Sequence, residues 1–304
     1  MRSSLQRLSL LALLIVFAAI PAAASADTCP GINGKIAVTI EESSHSYVAL
    51  LGPGNGTLRP LFPAPPVETS FADPSFSCDG TTVAYGGPGF IELTDATTGE
   101  KIPPPAAGEA GAFPQLPFPM PGLQPSNPTF LSNGELVFDS AGTPGSATTG
   151  TYVAEPDGSD LRRLFRWEYT AVSDDGRWFI AGAEGAFSVR NAKGGKALWS
   201  NLKLGAGANP SLSADGGRVA FVRRNDVYVA ETNGSYRQRI THDGRSGNPV
   251  FSPNGQWIAF TRSRSSHGPY EEVVAVSLER SPIVRVLARI QYPETFGELA
   301  WAPR

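Results

Sequence analysis

The chain of 304 residues is poor in charged residues, histidine and cysteine. Only 17% of its residues are Asp, Glu, Lys or Arg, and it contains three histidines and two cysteines. The formal net charge of −3, with basic residues scattered along the chain, argues against a nucleic-acid partner, which needs a clustered basic surface. No residue spacing matches a metal-binding motif, and no Gly-x-Ser-x-Gly motif occurs. We therefore predict no cofactor and name no catalytic residue.

Long apolar runs are also missing, apart from one near the N-terminus. The run Leu8–Ile20 is too short to cross a bilayer, follows Arg2 and Arg7, and precedes a small-x-small site at Ala24–Ala26. We predict a Sec-type signal peptide over residues 1–26 and a mature protein over residues 27–304, exported to the periplasm or the cell exterior. The mature chain would have 23 basic and 28 acidic residues, a net charge of −5, and no membrane span.

The two cysteines, Cys29 and Cys78, would meet an oxidising compartment after export. Their even number permits one disulfide bond, and two free thiols remain the alternative, because number and compartment alone do not decide between them.

Glycine and proline are abundant, with 33 and 27 residues, which favours many turns and short strands. One short phrase recurs along the chain. Intact copies are Pro74–Tyr85, Asn209–Phe221 and Asn248–Phe260, and looser copies are Pro128–Phe138 and Ala171–Ala181. Each copy predicts a β-hairpin, in which a Ser-x-Asp/Asn-Gly turn joins a short strand to an apolar return strand.

The return strands lack polar residues, as in Trp257–Phe260, so we expect them to be covered on both faces. Most copies are followed by a second strand–turn–strand, as in Val227–Ile240. One unit therefore comprises four antiparallel strands. The turn glycines lie 39 to 54 residues apart, close to the roughly 40–45 residues of a four-stranded propeller blade; they are Gly34, Gly80, Gly134, Gly176, Gly216 and Gly255.

The last copy of the phrase is divided between the two ends of the chain. Its front half is Leu299–Pro303, and its back half is Asn33–Val38. The sequence therefore predicts an all-β, six-bladed β-propeller, closed by one C-terminal strand that joins three N-terminal strands. The predicted strands of this closing blade are 298–302, 35–39, 47–51 and 58–62. The alternative is an open β-sandwich with coincidental turns.

The phrase, best preserved in Asn248–Phe260, resembles the repeat of TolB-type, WD40-like β-propellers, and the resemblance extends from about Asn33 to Arg304. It implies the propeller fold and a periplasmic partner of cell-envelope proteins, but no catalytic residue. The α/β domain that precedes the family's propeller has no counterpart in residues 27–32. The propeller of prolyl-oligopeptidase-type enzymes is similar too, without the hydrolase motif.

Polar residues that could bind a ligand are predicted to lie on the propeller face opposite the Ser-x-Asp/Asn-Gly turns. An arginine-rich mouth would hold an anion or an acidic peptide, because guanidinium groups bind carboxylates bidentately. A metal site built from the histidines is a second hypothesis, and solvated loop residues without a ligand are the third. The candidate residues are His45, Arg223, His242, Arg262, Arg264, His267 and Tyr270.

A proline-rich segment, residues 101–128, favours polyproline conformation and lies on the same predicted face. It is interpreted either as a recognition segment with Phe113 and Phe118 as apolar contacts, or as a stiff loop packed on its own blade. The sequence as a whole predicts an exported, monomeric, non-enzymatic propeller that binds a protein or peptide of the cell envelope. A secreted hydrolase or lyase with its site in the propeller mouth is the alternative.

Overall fold

The computed structural model describes residues 33–52, 56–61, 72–87, 90–103, 123–140, 148–183, 186–192, 197–202, 210–264 and 270–303. Within these ranges the chain forms 23 β-strands and no helix. The strands make six antiparallel sheets arranged as the blades of a ring. The predicted six-bladed β-propeller is confirmed.

The chain fills the blades in sequence order and returns to the first at its end. Blade 1 contains β1 (Asn33–Glu41), β2 (Ser46–Leu51) and β3 (Leu58–Pro60). Blade 2 contains β4 (Ala72–Phe76), β5 (Thr82–Gly87) and β6 (Phe90–Asp95), and a bridge from Thr94 to Lys101 marks its fourth position. Blade 3 contains β7 (Pro125–Phe130), β8 (Leu136–Ser140), β9 (Gly150–Ala154) and β10 (Arg162–Phe165).

Blades 4 to 6 each have four described strands. Blade 4 contains β11 (Tyr169–Val172), β12 (Trp178–Ala183), β13 (Ala186–Asn191) and β14 (Ala197–Leu202). Blade 5 contains β15 (Ser211–Leu212), β16 (Arg218–Arg223), β17 (Asp226–Glu231) and β18 (Arg237–Arg239). Blade 6 contains β19 (Ser246–Phe251), β20 (Trp257–Ser263), β21 (Tyr270–Ser277) and β22 (Val284–Gln291). The last strand, β23 (Thr295–Pro303), joins blade 1 in the order β23-β1-β2-β3.

The two chain ends meet in an antiparallel ladder between β1 and β23. Val38 pairs with Leu299, Ala37 with Ala300 and Ile36 with Trp301. The divided phrase is therefore completed as predicted, and all four predicted strands of blade 1 are present with somewhat different bounds.

The turn of the phrase has the chemistry that its residues predict. In blade 6 the hydroxyl of Ser252 lies 2.8 Å from Oδ1 of Asn254, and Oγ of Ser252 accepts the N–H of Trp257. Gly255 has a φ of 65°, a left-handed value that glycine adopts without strain. Gly34 is an exception, because it lies inside β1 and has no left-handed φ. The hairpin of blade 1 is divided between the two chain ends, so no turn joins β23 to β1 and no turn glycine is needed there.

The return strands form the core, since each packs against a blade on either side. In β20, Ile258, Ala259 and Phe260 are at most 2% exposed. Phe260 belongs to a cluster with Val227 and Val229 of blade 5, whereas Ala259 packs with residues of blade 1. The predicted covering of both faces is confirmed, and these contacts hold the blades at fixed positions around the central channel.

Candidate functional site

The first strand of each blade lines a central cavity with a volume of about 570 Å³. Each of these inner strands runs from the loop face, where the chain enters a blade, to the turn face, where the Ser-x-Asp/Asn-Gly turns lie. The walls are contributed by β4, β7, β11, β15, β19 and β23. All six blades therefore present residues of their inner strands to this common space.

One position of the inner strand recurs around this cavity, near the loop face. By register it is held by Asp73, Asn127, Tyr169, Asn248 and Glu298 in the described blades, and all five line the cavity. The ladder shifts register at or beside this position in each of these blades, and three of the residues have left-handed backbone, with φ of 53° at Asp73, 52° at Asn127 and 45° at Asn248. Aspartate and asparagine tolerate this conformation better than other residues with a side chain.

The two asparagines connect neighbouring blades. Nδ2 of Asn127 donates to the carbonyl oxygen of Tyr169 at 3.4 Å, and Nδ2 of Asn248 donates to that of Gly297 at 2.9 Å. Both bonds run from one inner strand to the next. At this ring position the amide group therefore helps to fix the spacing between blades.

Asp73 and Glu298 place two acids at the same position in adjacent blades. Burial, followed by the negative charge of Glu298, raises the pKa of Asp73 from 3.8 to about 7. Unlike the asparagines, an ionised carboxylate cannot donate a hydrogen bond to the next strand. The loop-face half of the cavity is therefore acidic, a feature that the sequence analysis missed, although Asp73-Pro74 and Asn248-Pro249 stand at the head of their repeats.

A second charged group lies on blade 6, around Glu272, whose side chain is fully buried. Its carboxylate accepts from Arg262 at 2.7 Å and from Arg289 at 2.9 Å, and Nε of Arg264 lies 3.6 Å away. Burial alone would raise the pKa of Glu272, but hydrogen bonds from Arg262 and Arg289 and the positive charges of Arg262 and Arg264 outweigh it and hold this pKa below its usual value. We refer to Arg262, Arg264, Arg289 and Glu272 as the arginine cluster.

The arginine cluster includes two of the sequence-predicted site residues and lies beside a third. The aromatic ring of Tyr270 lies 5.5 Å from the guanidinium of Arg289, and the backbone N–H of Arg264 donates to the carbonyl oxygen of Tyr270. Arg262 is committed to Glu272, so it is not the free ligand-gripping group that its sequence position suggested. Glu272 and Arg289 were not foreseen.

The other candidates have separate surroundings. His45 lies 3.5 Å from a carboxylate oxygen of Glu42 and stacks on Tyr47, within its own hairpin. His242 is exposed beside Asp243, and Arg223 ends β16 opposite Asp226. His267, Phe113 and Phe118 lie outside the described residues. In the part of the chain that the structure describes, no three His, Cys, Asp or Glu side chains form a group suited to a metal ion.

Cys78 lies in the turn between β4 and β5 and is disulfide-bonded. The other cysteine of the chain, Cys29, lies outside the described residues. The pairing of Cys29 with Cys78 therefore stays a prediction, and it would attach the segment before β1 to blade 2.

Comparison with solved structures places this geometry among known propellers. TolB from Acinetobacter baumannii superposes with a TM-score of 0.63 at 19% identity, over 89% of this chain and 67% of that one. A putative TolB from Agrobacterium tumefaciens gives a TM-score of 0.57 at 15% identity, over 90% of this chain and all of that one. The chain has the fold of the TolB propellers.

Sequence comparisons add one partial match. Residues 187–296 match the family model of the dipeptidyl peptidase IV (DPP IV) N-terminal region, itself a propeller-type family. A comparison with curated protein sequences finds no match. Among the described residues, no helix is long and apolar enough to cross a membrane. The TolB-like resemblance seen in the repeats is thus supported by structure, at the level of the fold.

Proposed function

We propose that this TolB-like propeller is an exported, monomeric, non-enzymatic scaffold that binds a protein or peptide of the cell envelope at its loop face. The observation that carries the proposal is the unbalanced charge of the arginine cluster. Three guanidinium groups lie around the carboxylate of Glu272, the only further carboxylate paired with them among the described residues is that of Asp243, 4.0 Å from Arg262, and the side chains of Arg264 and Arg289 remain 50% and 57% exposed.

The exposed arginines indicate the chemistry of the partner. A guanidinium group has five N–H donors, and Glu272 accepts only some of those that the three arginines offer. Asp243 pairs with Arg262, and Tyr270 is hydrogen-bonded to the side chain of Arg264. The donors that remain on the half-exposed side chains of Arg264 and Arg289 can bind carboxylates of an incoming chain. An acidic segment is therefore the partner that this part of the loop face fits best.

The acidic half of the central cavity restricts where such a segment would lie. Glu298, together with Asp73 at a pH above its pKa of about 7, would repel its carboxylates, whereas Arg264 and Arg289 would attract them. The segment would therefore lie over blade 6, beside His242, and not inside the channel. Export is supported by the predicted signal peptide, whose residues lie outside the described ranges.

A site-specific cross-linking experiment tests this function. A photoreactive amino acid replaces His242 on the loop face, and in the control it replaces Asp215, which lies in a turn on the opposite face. After irradiation in intact cells, we expect one discrete cross-linked partner from position 242 and none from position 215. Adding Arg264→Glu should remove the adduct without changing the melting temperature. Equal adducts from both positions, or an adduct that survives the charge reversal, would contradict the proposal.

A further inference from the structure

The outermost strand of blade 6, β22, differs from the other outer strands. It has eight residues, whereas β3 and β18 have three, β10 has four and β14 has six. It ends its sheet, and no strand of the described ranges pairs with its outer edge. Eight residues extend over about 26 Å at roughly 3.3 Å per residue. Short outer strands are one way in which proteins protect a sheet edge, and β22 lacks that protection.

Exposed apolar side chains concentrate on the same strand and its flanks. Val284 is 58% exposed, Val286 42% and Ile283 46%, and Tyr292, just after the strand, is 70% exposed. Elsewhere in the described residues, only Ile102 and Tyr236 are large apolar side chains with comparable exposure. Apolar residues on an unpaired edge favour the addition of another strand.

The hydrogen-bond pattern shows which backbone groups face outward. The N–H of Ser277 donates to the carbonyl oxygen of Ile283 at 3.0 Å, so these two residues form a hydrogen-bonded pair of the β21–β22 ladder. Pairs alternate along an antiparallel ladder, and the register opposes Val276 to Val284 and Val274 to Val286. The N–H and C=O groups of Val284 and Val286 therefore point away from β21, toward the free edge.

The charge of β22 selects the kind of strand that would pair with it. The strand contains Arg285 and Arg289 and no acidic residue. Arg285 lies over the ring of Trp257 at 5.0 Å, and Arg289 is fixed by Glu272. Because the register shift near Leu287 inserts one residue between them, the two arginines lie on opposite faces of the blade. An added strand would thus meet a positive charge on each face.

We propose that the edge of β22 at Val284–Val286 is a docking site for an extended, acidic segment of another protein, which adds to blade 6 as a fifth strand. The backbone groups of Val284 and Val286 supply the ladder, the apolar side chains supply contact area, and the two arginines select acidic residues. This surface is on the outer rim of blade 6 and shares only Arg289 with the arginine cluster. Proline substitutions at Val284 and Val286 leave His242 and Arg264 unchanged, so this proposal and the proposed function can fail separately.

Proline substitution tests the outward N–H groups of β22 without removing a hydrogen bond of the β21–β22 ladder. Val284→Pro and Val286→Pro each remove one N–H that β21 does not use, and proline is tolerated on an edge strand in that situation. Val286→Thr is the matched control, because it keeps the N–H and favours a strand. The probe is a ten-residue peptide that alternates valine or threonine with glutamate, compared with its lysine-for-glutamate counterpart.

Binding of the labelled peptide is measured by fluorescence anisotropy, with hydrogen exchange over residues 283–291. We expect the acidic peptide to slow hydrogen exchange of the β22 amides and to bind Val286→Thr as tightly as wild type. It should bind at least tenfold more weakly to either proline variant that retains the wild-type circular dichroism. The lysine peptide should bind at least tenfold more weakly to wild type. No binding, equal binding by both peptides, or proline variants that bind like wild type would overturn the proposal. A wild-type dimer that Val284→Pro dissociates in sedimentation experiments would also overturn it, since a second copy would then occupy the edge.

Discussion

The carbonyl oxygen of Pro303 lies 2.5 Å from the point where a Cβ atom of residue 34 would be. It is also 2.8 Å from the corresponding point at Gly80 in blade 2. One carbonyl group at the end of β23 is thus packed against two glycines, one in its own blade and one in the next. The ring closes here without room for a methyl group.

Gly34→Ala should destabilise the protein although residue 34 has no left-handed backbone. The new methyl group would collide with backbone, which yields less readily than a side chain, and overpacking of this kind costs about 1–3 kcal/mol. Chemical denaturation measures the loss. Gly247→Ala is the control in another ladder strand, since its Cβ would meet only Oγ1 of Thr261 at 3.4 Å. Equal stability of the two variants would show that the Pro303 contact is not tight.

Deletion of residues 297–304 should abolish cooperative folding, because it removes most of β23. That strand pairs with β1 and contacts the inner strands β4 and β19 of both neighbouring blades. Its loss would leave an unpaired edge on β1 and open the ring. Calorimetry would show a broad transition, or one at much lower temperature. A truncated protein that melts like the full chain would mean that β23 does not close the ring.

The fold was predictable because its determinants are local and repeated. Each turn is specified by a few adjacent residues, such as Ser252, Asn254 and Gly255, whose side-chain and backbone bonds lie within five positions of one another. The divided phrase then predicts closure without any distance information. Gly34 followed the repeat in sequence but not in conformation, because its role depends on a contact with the other end of the chain.

The charged groups of the site were less predictable because they depend on register. Arg262, Glu272 and Arg289 lie on three different strands, and only the pairing of β20 with β21 and of β21 with β22 places them in one row. Asp73 and Glu298 are brought into adjacent blades only by ring closure. The sequence shows that arginines are present near a predicted loop. It does not show that a buried glutamate on the strand between them, Glu272, accepts hydrogen bonds from Arg262 and Arg289.

Glu272→Gln tests the arginine cluster. The amide has no negative charge, so hydrogen bonds of the arginines to a charged group are lost, at a cost of about 1–3 kcal/mol at pH 7. Since the pKa of Glu272 is lowered, its contribution is fully present above the carboxyl's unfolded value of about 4.5, and it is lost as pH falls from that value through the lower pKa of the native state. Urea denaturation at pH 7 and pH 3 should therefore show a difference between the variant and wild type that is smaller in acid.

Glu279→Gln is the charge-matched control, because Glu279 is exposed in the connection between β21 and β22. It should change stability little at either pH. A Glu272→Gln protein as stable as this control at pH 7 would show that the cluster does not stabilise blade 6.

Asp73→Asn should make the protein more stable above pH 7 and leave it nearly unchanged at pH 4. The native state keeps a proton on Asp73 up to a pKa of about 7, whereas the unfolded chain releases it near 3.8, so the wild-type free energy of unfolding falls as pH rises between these values. Asparagine does not ionise, and it restores the group that donates between blades at Asn127 and Asn248. The gain is at most about 4 kcal/mol, from roughly three pKa units at about 1.4 kcal/mol each.

The charged or titratable groups that face Asp73 are Glu298 and Tyr169. Glu298→Gln should therefore give a smaller gain in the same direction, because it lowers the pKa of Asp73. Denaturation curves at pH 4, 6 and 8 measure both variants, and a difference between Asp73→Asn and wild type that does not grow with pH would show that Asp73 is ionised in the native channel throughout this range.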